Sequence, residues 1–255
     1  MPIFERTDEP DLWQPSELAA GPFAGLQGGA IAGLLTGEIE AEAANSGWGS
    51  AISASVWFLR PTPAKALRTR ITPVHSGGRI SVVDNMLWVV GDEQPCAIAR
   101  VTLTQIRSIE IAGYSTPDEA PIDPTQYALS EPRAPHGGPW FMDAMEVRSG
   151  PTVRWFKLNH PIVAGGGPLA QLLGPADWAH GINRPIMNVV ADPNPNLNVQ
   201  LMREPQGEWI GVEAQTRWQP DLGIGMGGGI LRDALGIVGR VSMSVALTPF
   251  PKASK

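Results

Sequence analysis

The sequence is built from two similar halves. Three segments of the first half reappear in the second half, in the same order and roughly 140 positions later. The pairs are residues 18–37 with 158–176, residues 58–61 with 201–205, and residues 99–103 with 239–243. One such pair could arise by chance, but three pairs in one order at a nearly constant offset indicate a duplicated domain.

Each half shows the same order of predicted elements, a helix followed by strands. In the first half, Ile31, Leu34, Leu35 and Ile39 form the apolar stripe of a helix predicted over residues 28–44. The predicted strands are rich in Val, Ile, Thr and Trp and are separated by Gly and Pro. They cover residues 52–59, 66–74, 79–90 and 96–106, then 140–147, 153–156, 196–202, 209–218, 223–231 and 238–247, with a second helix over about 168–180.

This order of elements predicts the fold class. A helix followed by a long antiparallel meander buries its apolar stripe only if the sheet wraps around the helix. The α+β architecture with this arrangement is the hotdog, and the repeat predicts two in tandem, a double hotdog. The predicted domains are an N-terminal hotdog at 1–110, a Pro-rich linker at 111–135 and a C-terminal hotdog at 136–255. Because exposed sheet edges tend to pair, we also expect a homodimer or a higher homo-oligomer.

Composition excludes several classes of protein and site. The formal net charge of −6 and the pI near 5.2 argue against a nucleic-acid partner, which would need clustered Lys and Arg. Cys96 is the only cysteine and the four histidines lack ligand spacing, so we expect neither a disulfide framework nor a metal. The uncharged run at 18–37 is interrupted by six glycines, Pro22 and Gln27, which makes it too polar to cross a membrane. The N-terminus does not resemble a signal peptide, so we expect a cytoplasmic protein without membrane insertion.

Short motifs along nearly the whole chain resemble those of double-hotdog thioesterases, the group that includes acyl-CoA thioesterase II. They lie at residues 21–22, 27–29, 58–61, 76–79, 97–104, 176–181, 194–198, 203–205, 207–209, 233–236 and 239–240. The resemblance implies hydrolysis of an acyl-CoA thioester without a cofactor or metal. It also implies that Asp177 holds and activates the attacking water and that Asn194 helps to position it. The family's third residue, a Gln on the last strand, falls on Met243 or Ser244, and Ser244 is the candidate with a polar side chain.

Asp177 is also the best candidate on physical grounds. It follows the apolar residues Leu169, Leu172 and Leu173, so its face of the predicted helix points toward the sheet. Burial of a carboxylate tends to raise its pKa toward the range of a useful general base. The alternative is an ordinary Asp at a helix end, hydrogen-bonded to nearby backbone or to Asn183.

The first half offers no matching acid. The repeat offset aligns Asp177 with Thr36, while Glu38 and Glu40 are expected on other faces of the helix. We therefore expect one working site per chain, with the first half structural. Backbone N–H groups at residues 28–29 or 165–167 are candidates for polarising the thioester carbonyl.

Other candidate residues favour structural interpretations. The glycines at 223, 225 and 228 have dinucleotide-fingerprint spacing, but they lie in a predicted strand. Asp192 begins a stretch similar to a hydratase motif, which requires His five residues later, where this chain has Leu197. Cys96 is interpreted as a buried structural thiol. His180 could contact Asp177 one helical turn away, although a structural histidine is the simpler interpretation.

Three functions stay open at this level. The leading one is an acyl-CoA thioesterase, with acyl-CoA as the small-molecule partner. The second is an acyl-CoA-binding protein that keeps the scaffold without hydrolysis, because the Gln of the last strand is missing. The third is a hotdog hydratase, which the absence of His at position 197 disfavours.

Overall fold

The computed structural model describes residues 1–23, 25–131, 137–186 and 189–249. In this part of the chain the strands form one antiparallel sheet of 13 strands. They are β1 (Phe4–Arg6), β2 (Leu12–Pro15), β3 (Ser50–Phe58), β4 (Leu67–Ser76), β5 (Ile80–Val89), β6 (Ala97–Thr104), β7 (Ala128–Ser130), β8 (Met145–Ser149), β9 (Arg154–Leu158), β10 (Asn196–Leu201), β11 (Trp209–Gln219), β12 (Ile224–Asp233) and β13 (Gly236–Ala246). The helices are α1 (Gly28–Ser46), α2 (Pro168–Ala176) and α3 (Ala179–Ile182).

The strand order shows that the two halves lie side by side. It runs β1-β2-β4-β5-β6-β3-β10-β13-β12-β11-β9-β8-β7, with each half contributing one side. The halves meet where β3 pairs with β10, with Ala54 opposite Val199. The repeated segments at 99–103 and 239–243 lie in β6 and β13, which flank this central pair. The predicted α+β double hotdog is therefore confirmed.

Helix α1 is buried on almost all sides because it packs against both the sheet and α2. Its side chains at Leu34, Leu35 and Ile39 are fully buried. The helices approach closely where α1 carries Gly33, since a Cβ there would lie 2.9 Å from the carbonyl oxygen of Ala170. The contact of α1 with α2 brings the first turn of each helix close to the other half of the chain.

The second predicted helix is shorter than expected. The prediction of one helix over about 168–180 is wrong in its last turn, because α2 ends at Ala176 and α3 begins only at Ala179. Pro175 lies inside α2 and has no N–H for the helical ladder. Asp177 thus becomes the C-cap of α2. The interruption places its side chain at a junction between two helices.

Other boundaries also differ from the prediction. The strand predicted over 140–147 begins only at Met145, because Phe141–Ala144 forms a 3-10 turn in which the Asp143 side chain accepts from the N–H of Trp140. Strands β1 and β2 were not predicted, since each has at most four residues.

The segment predicted as a linker, residues 111–135, contains a regular element. Strand β7 lies within it and pairs with β8 at one edge of the sheet. Residues 132–135 of that segment, and His136, lie outside the described residues. The domain limits and the homo-oligomer stay predictions.

Candidate active site

Asp177 is buried and holds three hydrogen bonds. Only 3% of its surface is exposed. Its Oδ2 accepts from the backbone N–H of Gly29 at 2.9 Å and from Gln27 Nε2 at 2.6 Å. Its Oδ1 accepts from Asn194 Nδ2 at 2.7 Å. Asp177 belongs to the second half of the chain, whereas two of its three donors come from the first, so the site is built across the junction.

Gln27 is a partner of Asp177 that the sequence analysis missed. It is the N-cap of α1, where its Oε1 accepts from the N–H of Ala30 at 2.9 Å. The amide oxygen is thereby occupied, and the amide NH2 is directed to Asp177. One side chain thus caps the helix and orients the carboxylate. The sequence signal was present, since Gln27 and Thr36 are the only polar side chains in the run from 18 to 37.

Asn194 lies where the sequence analysis expected it, beside Asp177. It precedes β10, and its amide also donates to the carbonyl of Asn196 at 3.2 Å. The alternative partner, Asn183, instead donates to the carbonyl of Ala214. Ser244 lies on β13 with an exposed side chain, and its backbone N–H donates to Asn196 Oδ1. Among the described hydrogen bonds none joins Ser244 to Asp177.

A cavity of about 380 Å³ opens onto Asp177, and we call it the Asp177 pocket. The polar groups of its wall belong to Gln27, Gly28, Arg60, Thr62, Asp177, His180, Arg184 and Asn194. Most of the remaining wall is apolar. The large apolar side chains include Phe23, Leu26, Ile31, Phe58, Leu59 and Trp178. A few convergent polar groups in an apolar wall are typical of a small-molecule site.

Burial sets the electrostatics of Asp177. The loss of solvent raises the pKa of its carboxyl above the ordinary 3.8. A positive charge on His180 and the hydrogen bonds from Asn194, Gly29 and Gln27 all act in the opposite direction but do not outweigh burial. A carboxyl with a raised pKa in a pocket is suited to accept a proton from a water molecule.

The first turn of α1 contributes backbone N–H groups. Asp177 accepts a hydrogen bond from the N–H of Gly29, whereas no described residue accepts from the N–H of Gly28. Gly28 lines the pocket, and a Cβ there would lie 2.9 Å from Asp177 Oδ2 and 3.0 Å from Phe58 Cζ. The absence of a side chain at Gly28 therefore allows α1 to approach both groups.

In the first half, Glu40 makes the contact that corresponds to the contact of Asp177 with the first turn of a helix. Its Oε1 and Oε2 accept from the N–H groups of Leu169 and Ala170 at 2.8 and 2.9 Å, in the first turn of α2. Asp177 contacts the first turn of α1 in the same way. Thr36, the position aligned by the repeat, donates to the carbonyl of Ala32 within its own helix. The expectation that Glu40 lies on another face is wrong, because four residues make about one full turn.

A second group that the sequence analysis missed is the pair of His180 and Asp192. His180 lines the Asp177 pocket, and its Nδ1 lies 3.3 Å from Asp192 Oδ2. The hydratase motif would place a histidine five residues after Asp192, where this chain has Leu197, but the histidine beside Asp192 comes from α3, which precedes it. Contact across 12 positions leaves no periodic signal in the sequence.

The described ranges contain neither a metal-binding cluster nor a membrane-spanning helix. No group of three or more His, Cys, Asp or Glu side chains there could hold a metal ion. No helix in those ranges is long and apolar enough to cross a membrane. Cys96 is buried and forms no disulfide.

Comparison with known structures identifies similar folds. A candidate thioesterase II from Thermobifida fusca is 16% identical over 96% of this chain and 94% of that chain, with a TM-score of 0.71. A conserved hot dog protein of unknown function from Alicyclobacillus acidocaldarius is 13% identical over 95% of each chain, also at 0.71. An acyl-CoA thioesterase II from Mycobacterium marinum is 14% identical over 98% and 97%, at 0.64.

Family models give the assignment. No curated protein matches the chain. The model of the acyl-CoA thioesterase N-terminal domain matches residues 19–104, and that of the C-terminal domain matches residues 110–245. The two models together span most of the sequence, and they match in the order that the repeat predicts. The chain therefore belongs to the acyl-CoA thioesterase family, whose members are thioester hydrolases.

Proposed function

We propose that the protein hydrolyses acyl-CoA by means of a water molecule activated by Asp177. The observation that carries this proposal is the set of hydrogen bonds around its carboxylate. Oδ2 accepts two hydrogen bonds and Oδ1 accepts one from Asn194. A carboxylate has about four acceptor positions, so Oδ1 keeps one for water. Asp177 and Asn194 both line the pocket, where such a water would meet the substrate.

The N-terminus of α1 supplies the group that polarises the thioester carbonyl. As the carbonyl carbon is attacked, negative charge develops on its oxygen. The N–H of Gly28 lies in the first turn of a 19-residue helix, whose dipole is positive at this end. The candidates at 165–167 are less suitable, because the first turn of α2 already donates to Glu40.

The wall of the pocket suits the acyl part of the substrate. The apolar wall formed by Phe58, Leu26 and Ile31 suits the acyl chain, which gains free energy by leaving water. A thioester is already activated relative to an ester, so a positioned water suffices without a covalent nucleophile.

Measurement of free thiol released from a panel of acyl-CoA substrates tests the proposal. Release that depends on the protein, and acyl acid formed in equal amount, is the expected result. Tight binding of acyl-CoA without release would instead support the non-hydrolytic binding protein considered above. Release unaffected by the loss of the Asp177 carboxylate would contradict the assignment of the base.

The pH profile of hydrolysis should show an acid limb set by Asp177. Only the ionised carboxylate can take a proton from water. Because burial raises the pKa of Asp177 above 3.8, kcat/KM should increase with pH through a midpoint above that value. Initial rates measured from about pH 4 to 9 locate the limb. A rate that stays constant down to the ordinary range of aspartate would contradict this assignment.

Replacement of Asn194 by Ala should lower turnover by roughly 10-fold to 100-fold, the usual effect of losing a hydrogen bond to a charged group. The base itself remains. The Asn194 amide lowers the pKa of Asp177, so its removal should also shift the acid limb to higher pH. The matched control is Asn183→Ala, which removes a nearby amide bound to Ala214. Equal effects of the two variants, or a limb that does not move, would count against the proposed contact.

A further inference from the structure

A histidine held by a buried carboxylate lies in the wall of the Asp177 pocket. Asp192 is fully buried, and its two oxygens accept from Arg184 Nε at 2.6 Å and Nη2 at 2.7 Å. Its Oδ2 also contacts His180 Nδ1 at 3.3 Å. Burial acts to raise the pKa of Asp192, but the hydrogen bonds from His180 and Arg184 outweigh it and the pKa is lowered. Asp192 is therefore a fixed anion that can orient an imidazole.

The fold fixes His180 from its other side as well. A Cβ on Gly227 of β12 would lie 2.8 Å from His180 Cα, so the strand carries glycine where the histidine packs. Thr216 Oγ1 of β11 donates to the carbonyl of His180 at 3.0 Å. These two contacts hold the short helix α3 against the sheet. Strands β11 and β12 thus fix the backbone of His180, and Asp192 orients its imidazole.

The second ring nitrogen of His180 is available to the pocket. His180 is 7% exposed and lines the cavity that contains Asp177. Its Nδ1 is directed to Asp192, and no described residue forms a hydrogen bond with Nε2. Nε2 is not one of the buried polar atoms that lack a partner, so it is accessible from the pocket. The geometry indicates that Nε2 meets a group of the bound ligand.

We propose that His180 is the general acid that protonates the departing thiolate of CoA. This inference rests on the proposed hydrolysis and assigns a step that Asp177 does not perform. Asp177 takes one proton from water as the water oxygen bonds to the carbonyl carbon. When the carbon–sulfur bond breaks, its electron pair goes to sulfur, and His180 Nε2 gives sulfur a proton. The acid and the thiol leave, and the proton on Asp177 restores the imidazolium directly or through solvent.

The surroundings of His180 suit this step. Histidine both gives and accepts protons near neutral pH. The charged groups that face it are Asp177 from the end of α2, and Asp192 and Arg184 from the segment after α3. The residues of β11 and β12 packed against it, Thr216 and Gly227, are uncharged. Asp192 accepts from Nδ1, which leaves Nε2 as the nitrogen that exchanges its proton with the substrate.

Two thioesters of the same acyl group test the inference. One is the acyl-CoA, whose basic alkyl thiolate gains most from a proton as it departs; the other is the thiophenyl ester, whose much more acidic thiol gains little from one. His180→Gln should lower kcat/KM for acyl-CoA by about 10²-fold or more and that for the thiophenyl ester only a few-fold. The ratio of the two rates in one preparation does not depend on how much of the variant folds. The exposed histidine of β4, His75→Gln, is the matched control and should leave the ratio unchanged.

The wild-type protein provides a test that needs no variant. If a general acid assists departure, kcat/KM across a series of thiol leaving groups should depend little on thiol pKa. A steep dependence, or an equal loss on both esters in His180→Gln, would overturn the role of His180 while hydrolysis by Asp177 stands. Absence of hydrolysis of either ester by the wild type would instead overturn the proposed function itself.

Discussion

Replacing Asp177 by Asn is expected to lower acyl-CoA turnover by about 10²-fold to 10⁴-fold, the usual contribution of general-base assistance. Asn keeps nearly the volume of the side chain but cannot take a proton from water. Its carboxamide oxygen can still accept from Gln27 or Gly29, so the wall of the pocket is largely kept. Acyl-CoA should therefore still bind. Single-turnover rates and equilibrium binding, measured on the same protein, separate the two effects.

The matched control is Glu38→Gln. Glu38 is also a buried carboxyl, its pKa is also raised by burial, and it accepts hydrogen bonds from Thr69 and Asn85 in the first half, away from the pocket. The change from acid to amide is the same, so a general cost of losing a buried carboxylate would appear in both variants. Turnover of Asp177→Asn at the wild-type rate would show that another group activates the water. Equal losses in both variants would point to stability rather than catalysis.

The fold was predictable because its signals are local or repeated. Strand residues such as those of β5 alternate between buried and partly exposed positions, and the alternation is visible in the sequence. The repeat then supplied the tandem arrangement. The short strands β1 and β2 could not be predicted, since three or four residues carry too little alternation. The break after Ala176 was missed because the apolar pattern continues through Pro175 without interruption.

The site was predictable only in part, because it is assembled across the two halves. Asp177 and Asn194 lie 17 positions apart; the family resemblance indicates both, and the apolar pattern of the helix also favours Asp177. Gln27 lies 150 positions from Asp177, a distance over which periodicity carries no information. The family pattern indicates the last strand, where Ser244 is exposed, whereas the second amide donor to Asp177, after Asn194, comes from the N-cap of α1. A polar side chain at the start of a glycine-rich helix was the available signal.

Asp177 accepts a hydrogen bond from the first turn of α1, and Glu40 accepts two from the first turn of α2. Through Glu40, this arrangement makes the free energy of unfolding depend on pH. Burial raises the pKa of Glu40 from 4.5 to about 7, although the N–H groups of Ala170 and Leu169 act to lower it. The folded protein therefore binds this proton more tightly than the unfolded chain does. The free energy of unfolding should decrease as pH rises from about 4.5 to 7, by on the order of 3 kcal/mol from this group. Glu38 and Asp177, whose pKa values are also raised by burial, contribute with the same sign.

Glu40→Gln separates this group from the others. The Gln side chain keeps an oxygen that can accept from the first turn of α2, but it does not ionise, so the free energy of unfolding should decline less steeply between pH 4.5 and 7. Glu42→Gln, two residues further along α1, changes a carboxylate that binds Ser46 at the surface and should keep the wild-type slope. Urea unfolding of the three proteins at several pH values gives the slopes. Parallel curves for wild type and Glu40→Gln would contradict the prediction. They would mean that folding leaves the pKa of Glu40 unchanged, because the N-terminus of α2 then stabilises the carboxylate to the same extent as water does.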